Sequence, residues 1–155
     1  MGIKSFMGKR AASKKSFQEP LLVKDYMTSK LVTFREKDHI MDVMEKLVKN
    51  GISGGCVVND KHELIGIISE GDCMKQVSDS RYYNMPMGDS FVENRMNRNV
   101  ETIDGNMNVL DAAKIFIEKK FRRFPIVENG RLIGQISQRD VLRAALKLKG
   151  QNWQY

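Results

Sequence analysis

Long hydrophobic runs and cysteine are both scarce in this sequence. No run of about 18 or more apolar residues occurs, the length that a transmembrane helix needs, so we expect no membrane span. Cys56 and Cys73 are the only two cysteines, and their spacing matches no metal-binding motif. We therefore expect two reduced, buried thiols, as in a cytoplasmic protein.

Histidine is equally rare, which narrows the catalytic possibilities. His39 stands at the start of a predicted helix and His62 in a predicted turn, both in the same half of the chain. Neither belongs to a motif that would place it beside a nucleophile. The sequence also has no glycine-rich Walker loop and no metal-ligand constellation. We expect that the protein is not an enzyme.

Acidic residues are missing from the first 18 positions, and this explains most of the net charge. The chain carries a formal charge of +7, of which five lysines and arginines lie within residues 1–18. The rest of the chain is nearly balanced, so we expect no basic nucleic-acid-binding surface on the folded body. Residues 1–21 are predicted to be a basic N-terminal tail, either disordered or with a short accessory helix. An organelle transit peptide would have a similar composition.

The sequence does contain one segment written twice. Residues 64–72 and 132–140 share the pattern L-I-G-x-I-S-x-x-D. Matching residues lie 68 positions apart here and 69 positions apart upstream, because the turn near Asp60 has one additional residue. Repetition at a fixed period indicates one supersecondary unit used twice.

Each half of the chain predicts the order β-α-β-β-α. In the first half the predicted elements are an extended stretch at 31–34, a helix from Ile40 to Gly51, strands at 55–58 and 64–68 around a turn at 59–62, and a helix from Ser69 to about Val77. In the second half they are an extended stretch at 100–103, a helix over 109–117, strands at 124–127 and 132–136 around Asn129-Gly130, and a helix from Ser137 to about Leu148. This order predicts an α/β (α+β) fold in which helices cover one face of each hairpin-containing sheet.

The repeat also predicts the domain limits. We place the first domain at residues 22–78, a linker at 79–91, the second domain at 92–148 and a C-terminal tail at 149–155. The linker contains several methionines, which either cover a hydrophobic gap or form a contact surface for a partner. Trp153 and Tyr155 either pack back on the core or meet another chain.

A Ser-x-x-Asp motif directly follows a strand in both halves, at Ser69–Asp72 and at Ser137–Asp140. Such a pair is an ordinary helix-start signal, because the hydroxyl accepts a free N–H and the carboxylate complements the helix dipole. Helix N-termini also bind phosphate, and a carboxylate can accept hydrogen bonds from both hydroxyls of a ribose. The motif therefore predicts a nucleoside phosphate site, and the capping role can coexist with it.

Glycines and arginines near these motifs support a binding site. Gly66 and Gly134 interrupt the strands that lead to the serines, and a strand glycine often marks close approach of a ligand or of another backbone. Arg122 and Arg123 stand at the mouth of a strand, where they either bind phosphate or are simply solvated charges. The first half has Ser53-Gly54-Gly55-Cys56 at the matching positions. Because that stretch has no cation but leaves room for a base, we expect two half-sites that differ in function.

Together these motifs resemble a tandem pair of cystathionine-β-synthase (CBS) domains, also called a Bateman module. The resemblance covers about residues 22–148. It rests on Met27-Thr28 and Arg95-Met96 at the starts of the two units, on the strand from Arg122 to Val127, and on the two Gly-x-x-Ser-x-x-Asp endings. It implies two CBS repeats packed with pseudo-twofold symmetry around two clefts, and a homodimer that is often a flat disc.

The resemblance also implies the ligand and the residues that bind it. The clefts of this family bind adenosine compounds, namely AMP, ADP, ATP, S-adenosylmethionine and sometimes NAD. By this likeness the ribose and phosphate would lie near Ser69 and Ser137, and Asp72 and Asp140 would bind the ribose hydroxyls. Arg122 and Arg123 would bind the phosphates. The adenine would lie near Thr33, Thr102, Gly55, Cys56, Phe124 and Pro125. The first unit has Gly54-Gly55-Cys56 where the family commonly has a basic residue and a proline. That departure argues against anion binding in the first cleft.

We therefore predict a stand-alone regulatory module of the cytoplasm that senses AMP, ADP or ATP, or else S-adenosylmethionine. Its target would be a protein on another chain, because this chain contains no recognisable catalytic domain. The alternative is a ligand-free dimerisation or protein-interaction scaffold in which the Ser-x-x-Asp motifs act only as helix caps.

Overall fold

The computed structural model describes residues 2–6, 21–82 and 90–152. They divide into two compact units. The first unit holds residues 2–3, 32–82 and 90–100, and the second holds residues 4–6, 21–31 and 101–152. Most of the predicted basic tail, the methionines of the predicted linker, and Trp153 and Tyr155 lie outside the described residues.

The described residues form seven strands and five α-helices. The strands are β1 (Ile3–Phe6), β2 (Thr33–Phe34), β3 (Gly54–Val58), β4 (Leu64–Ser69), β5 (Val100–Asp104), β6 (Arg123–Glu128) and β7 (Arg131–Ser137). The helices are α1 (Val23–Tyr26), α2 (Ile40–Asn50), α3 (Glu70–Tyr82), α4 (Val109–Lys119) and α5 (Gln138–Asn152). Within the described part of the chain, no helix is long and apolar enough to cross a membrane.

The first unit contains a three-stranded sheet in the order β2-β3-β4. Strand β2 is parallel to β3, and β3 is antiparallel to β4. Asn59 shapes the β3–β4 turn, because its side-chain oxygen accepts hydrogen bonds from the backbone N–H groups of Lys61 and Glu63 at 3.0 and 2.9 Å. His62 adopts a left-handed φ of 62° in this turn. The turn predicted at residues 59–62 is confirmed.

Helix α2 buries one apolar face in the core of the first unit. Ile40, Val43 and Leu47 recur at helical spacing and are all buried, as expected for the inner face of an amphipathic helix. Gly51 ends the helix with a left-handed φ of 61°, a conformation that glycine adopts without steric penalty. The core cluster around this face also contains Phe34, Val57, Ile68, Cys73 and Val92.

The second unit contains a four-stranded sheet in the order β1-β5-β6-β7. Strand β5 is parallel to β6, and β6 is antiparallel to β7. Asn129 and Gly130 join the hairpin with φ values of 52° and 80°, the positive pair that a tight two-residue turn requires. Both repeats therefore have the predicted β-α-β-β-α order, and the mixed α/β fold class is confirmed.

The N-terminus differs from the prediction of a disordered tail or an accessory helix. Residues 3–6 form β1, an edge strand beside β5. Besides the backbone pairing, the ring of Phe6 packs edge-on against Phe124 with centroids 6.1 Å apart, and the hydroxyl of Thr102 donates to the carbonyl of Lys4 at 3.4 Å. Both partners are distant in sequence, so local patterns could not reveal this strand.

The two helices that follow the Ser-x-x-Asp motifs are longer than predicted. Helix α3 continues past Val77 to Tyr82, and α5 continues past Leu148 to Asn152. In α3 the additional turn is supported by an ion pair between Arg95 and Asp79 at 2.6 Å. The side chain of Gln76 also donates to the hydroxyl of Ser80 at 3.2 Å.

A short arm precedes the first strand of each repeat and packs on the unit formed by the other repeat. The first arm, residues 21–28, belongs to the second unit, and the second arm, residues 90–97, belongs to the first unit. Thr28 exchanges two backbone hydrogen bonds with Gln135, at 2.8 and 2.9 Å, and Asn97 exchanges two with Ile67, both at 2.9 Å. The predicted domain limits of 22–78 and 92–148 follow the sequence repeat, and they stay a prediction.

Candidate functional site

A reciprocal hydrogen-bonded cap stands at the start of α3 and of α5. The backbone N–H and the hydroxyl of Ser69 both donate to Oδ2 of Asp72 at 2.9 Å, and the N–H of Asp72 donates to Oγ of Ser69 at 3.3 Å. The corresponding distances for Ser137 and Asp140 are 2.8, 3.0 and 3.2 Å. The capping interpretation is therefore confirmed. A ligand at either motif would share these groups with the helix.

The candidate residues of the first unit meet at one end of its sheet. Thr33 pairs with Cys56 across the parallel strands, and Gly54 pairs with Ser69 across the hairpin. The starts of β2 and β3 therefore lie beside the end of β4, where α3 begins. Cys56 is only 4% exposed, whereas Thr33, Ser69 and Asp72 are half-buried. These three half-buried side chains carry two hydroxyls and one carboxylate that a ligand could contact.

Packing within the first unit accounts for its two adjacent glycines. A Cβ at Gly55 would lie 2.7 Å from the Phe34 ring and 3.0 Å from the carbonyl oxygen of Val32. A Cβ at Gly54 would lie 2.8 Å from the carbonyl oxygen of Ile68. The sequence suggested room for a base here, but on the side-chain face of Gly55 the space is filled by Phe34.

The second unit places its arginines beside the start of α5. Arg123 pairs with Ser137 across the β6–β7 hairpin, and both Arg122 and Arg123 are exposed. The backbone N–H of Gln138 donates to the carbonyl of Arg122 at 3.2 Å, and its side-chain amide donates to the carbonyl of Phe121 at 2.9 Å. The two exposed arginines therefore lie beside Ser137 at the start of α5, next to the buried residues Phe124 and Pro125.

Thr102 differs from its counterpart Thr33 because β1 covers it. Thr102 is fully buried, and its hydroxyl donates to the carbonyl of Lys4. Thr33 is half-buried and lies in a sheet that has no fourth strand among the described residues. If Thr102 contacts an adenine as predicted, it would therefore do so through its backbone.

The two carboxylates also differ in their surroundings. Asp140 is 4% exposed, and its Oδ1 forms an ion pair with Arg143 one turn along the helix. Asp72 is half-buried, and its Oδ1 receives no hydrogen bond from any residue that the structure describes. Asp72 therefore has one oxygen available for a ligand hydroxyl, whereas Asp140 would have to release or share Arg143.

Close backbone packing explains the strand glycines Gly66 and Gly134. A Cβ at Gly134 would lie 2.5 Å from Sδ of Met27 and 2.9 Å from the carbonyl oxygen of Thr28. A Cβ at Gly66 would lie 3.0 Å from Sδ of Met96 and from the carbonyl oxygen of Asn97. Of the two causes that the sequence left open, a ligand or another backbone, the structure shows the second: each glycine accommodates an arm.

Cys56 and Cys73 are both buried, which confirms the predicted burial. Burial raises the pKa of the Cys73 thiol, and the negative charges of Asp72 and Glu70 raise it further. Because only the thiolate is a strong nucleophile, both effects disfavour reactivity at Cys73, which packs in the core of the first unit. Among the described residues, no three His, Cys, Asp or Glu side chains are grouped so that they could hold a metal ion.

Two residues near the second motif were missed by the sequence interpretation. Arg143 could have been found, because a cation three residues after Asp140 lies on the same helix face. Gln138 gave no such signal, since the carbonyl that its side chain binds lies 17 residues earlier. Its contact depends on the tertiary structure that brings the loop before β6 to the start of α5.

The sequence profile of the CBS domain family matches this chain twice, at residues 23–79 and 92–147. The chain belongs to the CBS domain family. The two matches follow each other along the chain and together cover most of it, so the predicted tandem pair of CBS domains is confirmed. The paired caps, the repeated sheets and the exchanged arms are thus features of two CBS repeats.

Known relatives include one protein without an assigned function and two solved structures. The uncharacterized protein MJ1225 of Methanocaldococcus jannaschii is 27% identical over 133 residues, which cover 86% of this chain and 44% of the relative. The structure of CBSX2 from Arabidopsis thaliana in complex with AMP has a TM-score of 0.71 at 29% identity, covering 83% of this chain and 98% of CBSX2. The CBS domain pair of MJ0100, in complex with 5′-methylthioadenosine and S-adenosyl-L-methionine, has a TM-score of 0.64 at 26% identity, covering 80% and 98%.

Proposed function

We propose that this chain is a regulatory module that binds an adenosine-containing compound and modulates a partner protein. AMP, ADP or ATP are the first candidates, and S-adenosylmethionine is the next. The observation that carries the proposal is the group at the sheet end of the second unit, where Ser137, Asp140 and two exposed arginines stand together. Two relatives of similar fold hold adenosine compounds in their solved structures.

The chemistry of each part of such a ligand matches a different group in the second unit. Arg122 and Arg123 would bind phosphate oxygens, since guanidinium groups make strong bidentate hydrogen bonds to them. Asp140 would accept hydrogen bonds from the ribose hydroxyls. The buried edge of Phe124 and Pro125 would lie against the adenine, together with the backbone at Thr102.

The first unit would bind a ligand of lower negative charge. It offers Ser69 and the open Oδ1 of Asp72 to a ribose, with the backbone at Thr33, Gly55 and Cys56 beside the base. It has no cation in the stretch Ser53–Cys56 that corresponds to the arginines. An uncharged or cationic adenosine compound would therefore be preferred there over a nucleotide.

Thermal unfolding with added ligand tests this proposal. AMP, ADP, ATP and S-adenosylmethionine should each be compared with 2′,3′-dideoxyadenosine monophosphate, which lacks both ribose hydroxyls. We expect the melting temperature to rise with at least one of the first four and to change little with the dideoxy analogue. Mass spectrometry of compounds released from the denatured protein would identify a ligand that copurifies.

Asparagine variants separate binding from helix capping. In Asp72→Asn and Asp140→Asn the amide oxygen can still cap the helix, but an NH2 group replaces the other oxygen and cannot accept a hydrogen bond from a ribose hydroxyl. We expect both variants to fold. Each should lose the rise in melting temperature that is caused by ligand binding at the unit it alters. Glu45→Gln, a carboxylate-to-amide change at an exposed position of α2, is the matched control and should keep the full ligand response. A full ligand response in both asparagine variants would contradict the assigned carboxylate role.

The second candidate function is a ligand-free dimerisation or interaction scaffold. It is favoured by the reciprocal caps, because hydrogen bonds within the helix already engage Ser69 and Ser137. This function predicts no thermal shift with any adenosine compound and no copurified ligand. It also predicts that light scattering detects a homodimer and that nucleotide does not change its mass. The affinity of this homodimer for a captured partner protein should not change with nucleotide either.

The absence of catalysis and the cytoplasmic location both stay predictions. We expect no turnover when a bound nucleotide is incubated with the protein and its products are separated by chromatography. One relative, CBSX2, is described as chloroplastic, so the location should be determined directly, with a fluorescent fusion of the full chain.

A further inference from the structure

The backbone does not determine which arm packs on which unit. Val23 and Lys24 of the first arm donate to the carbonyls of Met107 and Gly105, both at 2.9 Å. The second arm makes the matching bonds from Val92 to Asp38 and from Glu93 to Glu36, at 2.9 and 3.0 Å. All of these donors and acceptors correspond at the repeat spacing of 69 residues. An arm of either sequence could make this set of bonds on either unit.

The length of the segment that links each arm to its own repeat does not determine which unit the arm packs on either. Five residues lead from Thr28 to Thr33, and they can span at most about 17 Å. In the first unit Ile67 lies two strands away from Thr33, with Cys56 between them, and an arm paired with Ile67 lies one strand spacing farther, a lateral distance of about 14 Å from Thr33. The first arm could therefore reach its own repeat. The second arm has an equally long connection, from Asn97 to Thr102.

A buried polar network joins the second arm to the first unit. Gln76 is only 1% exposed, and its Oε1 accepts hydrogen bonds from Oγ of Ser90 at 2.7 Å and from Nε of Arg95 at 2.8 Å. Arg95 also forms an ion pair with Asp79 at 2.6 Å. Both donors to Gln76 therefore come from the second arm.

The corresponding positions of the second unit are apolar or of opposite charge. Ala144, which is fully buried, replaces Gln76, and Lys147 replaces Asp79. On the first arm, Leu21 and Tyr26 replace Ser90 and Arg95 and pack against the apolar core. Nζ of Lys147 lies 5.8 Å from the centroid of the Tyr26 ring, a favourable cation–π arrangement.

We propose that this difference assigns each arm to its unit. With the arms interchanged, Gln76 would lose both hydrogen-bond donors and stay buried, which is strongly unfavourable. Asp79 would lose its cation, and Arg95 would instead face Lys147 across an apolar surface. In coiled coils, a single buried asparagine can specify the register between otherwise similar helices. This inference does not depend on any ligand, so its test is independent of the test of the proposed function.

Disulfide trapping can report which arm occupies the second unit. The Thr28→Cys/Gln135→Cys pair reports the observed docking, and the Asn97→Cys/Gln135→Cys pair reports the interchanged one. Strand residues that exchange two backbone bonds have Cα atoms about 5.5 Å apart, within the range of a disulfide. Position 135 is preferred to position 67, because Gln135 pairs with Pro125 whereas Ile67 pairs with the native Cys56.

The decisive variant exchanges the arm side chains and leaves the units unchanged. It carries Leu21→Ser, Tyr26→Arg, Ser90→Leu and Arg95→Tyr. In this background we expect the yield of the N97C/Q135C disulfide to rise about tenfold or more and that of T28C/Q135C to fall. In the wild-type background only T28C/Q135C should form. The matched control exchanges two exposed arm residues at corresponding positions, with Asp25→Asn and Asn94→Asp, and should leave both yields unchanged.

A second variant keeps the test decisive if the first does not fold. It exchanges the pocket side chains instead, with Gln76→Ala, Asp79→Lys, Ala144→Gln and Lys147→Asp, and the same reversal of disulfides is expected. Folding is checked by circular dichroism before oxidation. If a folded exchange variant still forms T28C/Q135C at the wild-type yield, or if the wild-type background readily forms N97C/Q135C, the proposal is wrong.

Discussion

The two units share a backbone plan but differ in the side chains at the same end of the sheet. Both cap the helix that follows the last strand with a Ser–Asp pair at nearly equal distances. Beside that cap the second unit has Arg122 and Arg123, and the first unit has adjacent glycines packed against Phe34. The difference teaches that the capping function of the motif is common to both repeats, whereas the side chains beside the cap are specific to each.

The strand glycines should give the largest difference between the units. Gly134→Ala would place a Cβ 2.5 Å from Sδ of Met27 and 2.9 Å from the Thr28 carbonyl, so we expect a loss of about 3 kcal/mol in the free energy of unfolding. Gly66→Ala meets its neighbours at 3.0 Å, and a loss of about 1 kcal/mol is expected. Urea unfolding measures both values.

The control for the glycine comparison is Gly71→Ala. The nearest atom to its new Cβ would be Oγ of Ser69 at 3.6 Å, and alanine is favoured over glycine in a helix by about 0.5–1 kcal/mol. This variant should be neutral or stabilising. If Gly66→Ala and Gly134→Ala were as harmless as Gly71→Ala, the close packing of the arms would be contradicted.

The arginines of the second unit should have the next largest effect, on ligand affinity. In the Arg122→Ala/Arg123→Ala variant we expect the Kd for AMP to rise about tenfold, equivalent to about 1.4 kcal/mol, because phosphate contacts are lost. The Kd for adenosine, which has no phosphate, should stay unchanged. Isothermal titration calorimetry measures both, with Arg131→Ala at the opposite end of β7 as the control. An equal loss for AMP and adenosine would mean that the arginines do not act on the phosphate.

The serine caps of the two units should contribute equally to the free energy of unfolding. Ser69→Ala and Ser137→Ala each remove the hydroxyl that accepts the N–H of the aspartate three residues later, so a loss of about 1 kcal/mol is expected for each. The two losses should add in the double variant, because the caps lie in different units. Urea unfolding of the single and double variants decides this, and a clearly unequal pair would show that one serine has a further structural role.

The Asp140–Arg143 ion pair, which has no counterpart at Asp72 among the described residues of the first unit, should have the smallest effect. Arg143 is 59% exposed, so solvent weakens its attraction for Asp140, and we expect Arg143→Ala to lower the free energy of unfolding by about 0.5 kcal/mol or less. Lys75→Ala, at the matching position of α3, is the control and should have no effect. A loss above about 2 kcal/mol for Arg143→Ala would indicate that Asp140 depends on this cation.

Local elements of the fold were determined by the sequence itself. The spacing of Ile40, Val43 and Leu47 predicted α2, Asn129-Gly130 predicted the hairpin turn, and the Ser-x-x-Asp motifs predicted the helix starts. Each of these depends on residues that are near neighbours along the chain, so propensity and periodicity are sufficient to identify it. The repeat itself was also visible, because corresponding residues recur at a constant spacing.

Only the tertiary structure decided which neighbours those elements meet. The strand at Ile3–Phe6, the packing of Met27 on Gly134 and the hydrogen bond from Gln138 to Phe121 all join residues far apart in sequence. Such contacts depend on burial and on the close approach of backbones, and neither leaves a periodic trace in the sequence. The same limit applies to Asp72 and Asp140, whose motifs are alike in sequence while packing leaves one half-buried and covers the other.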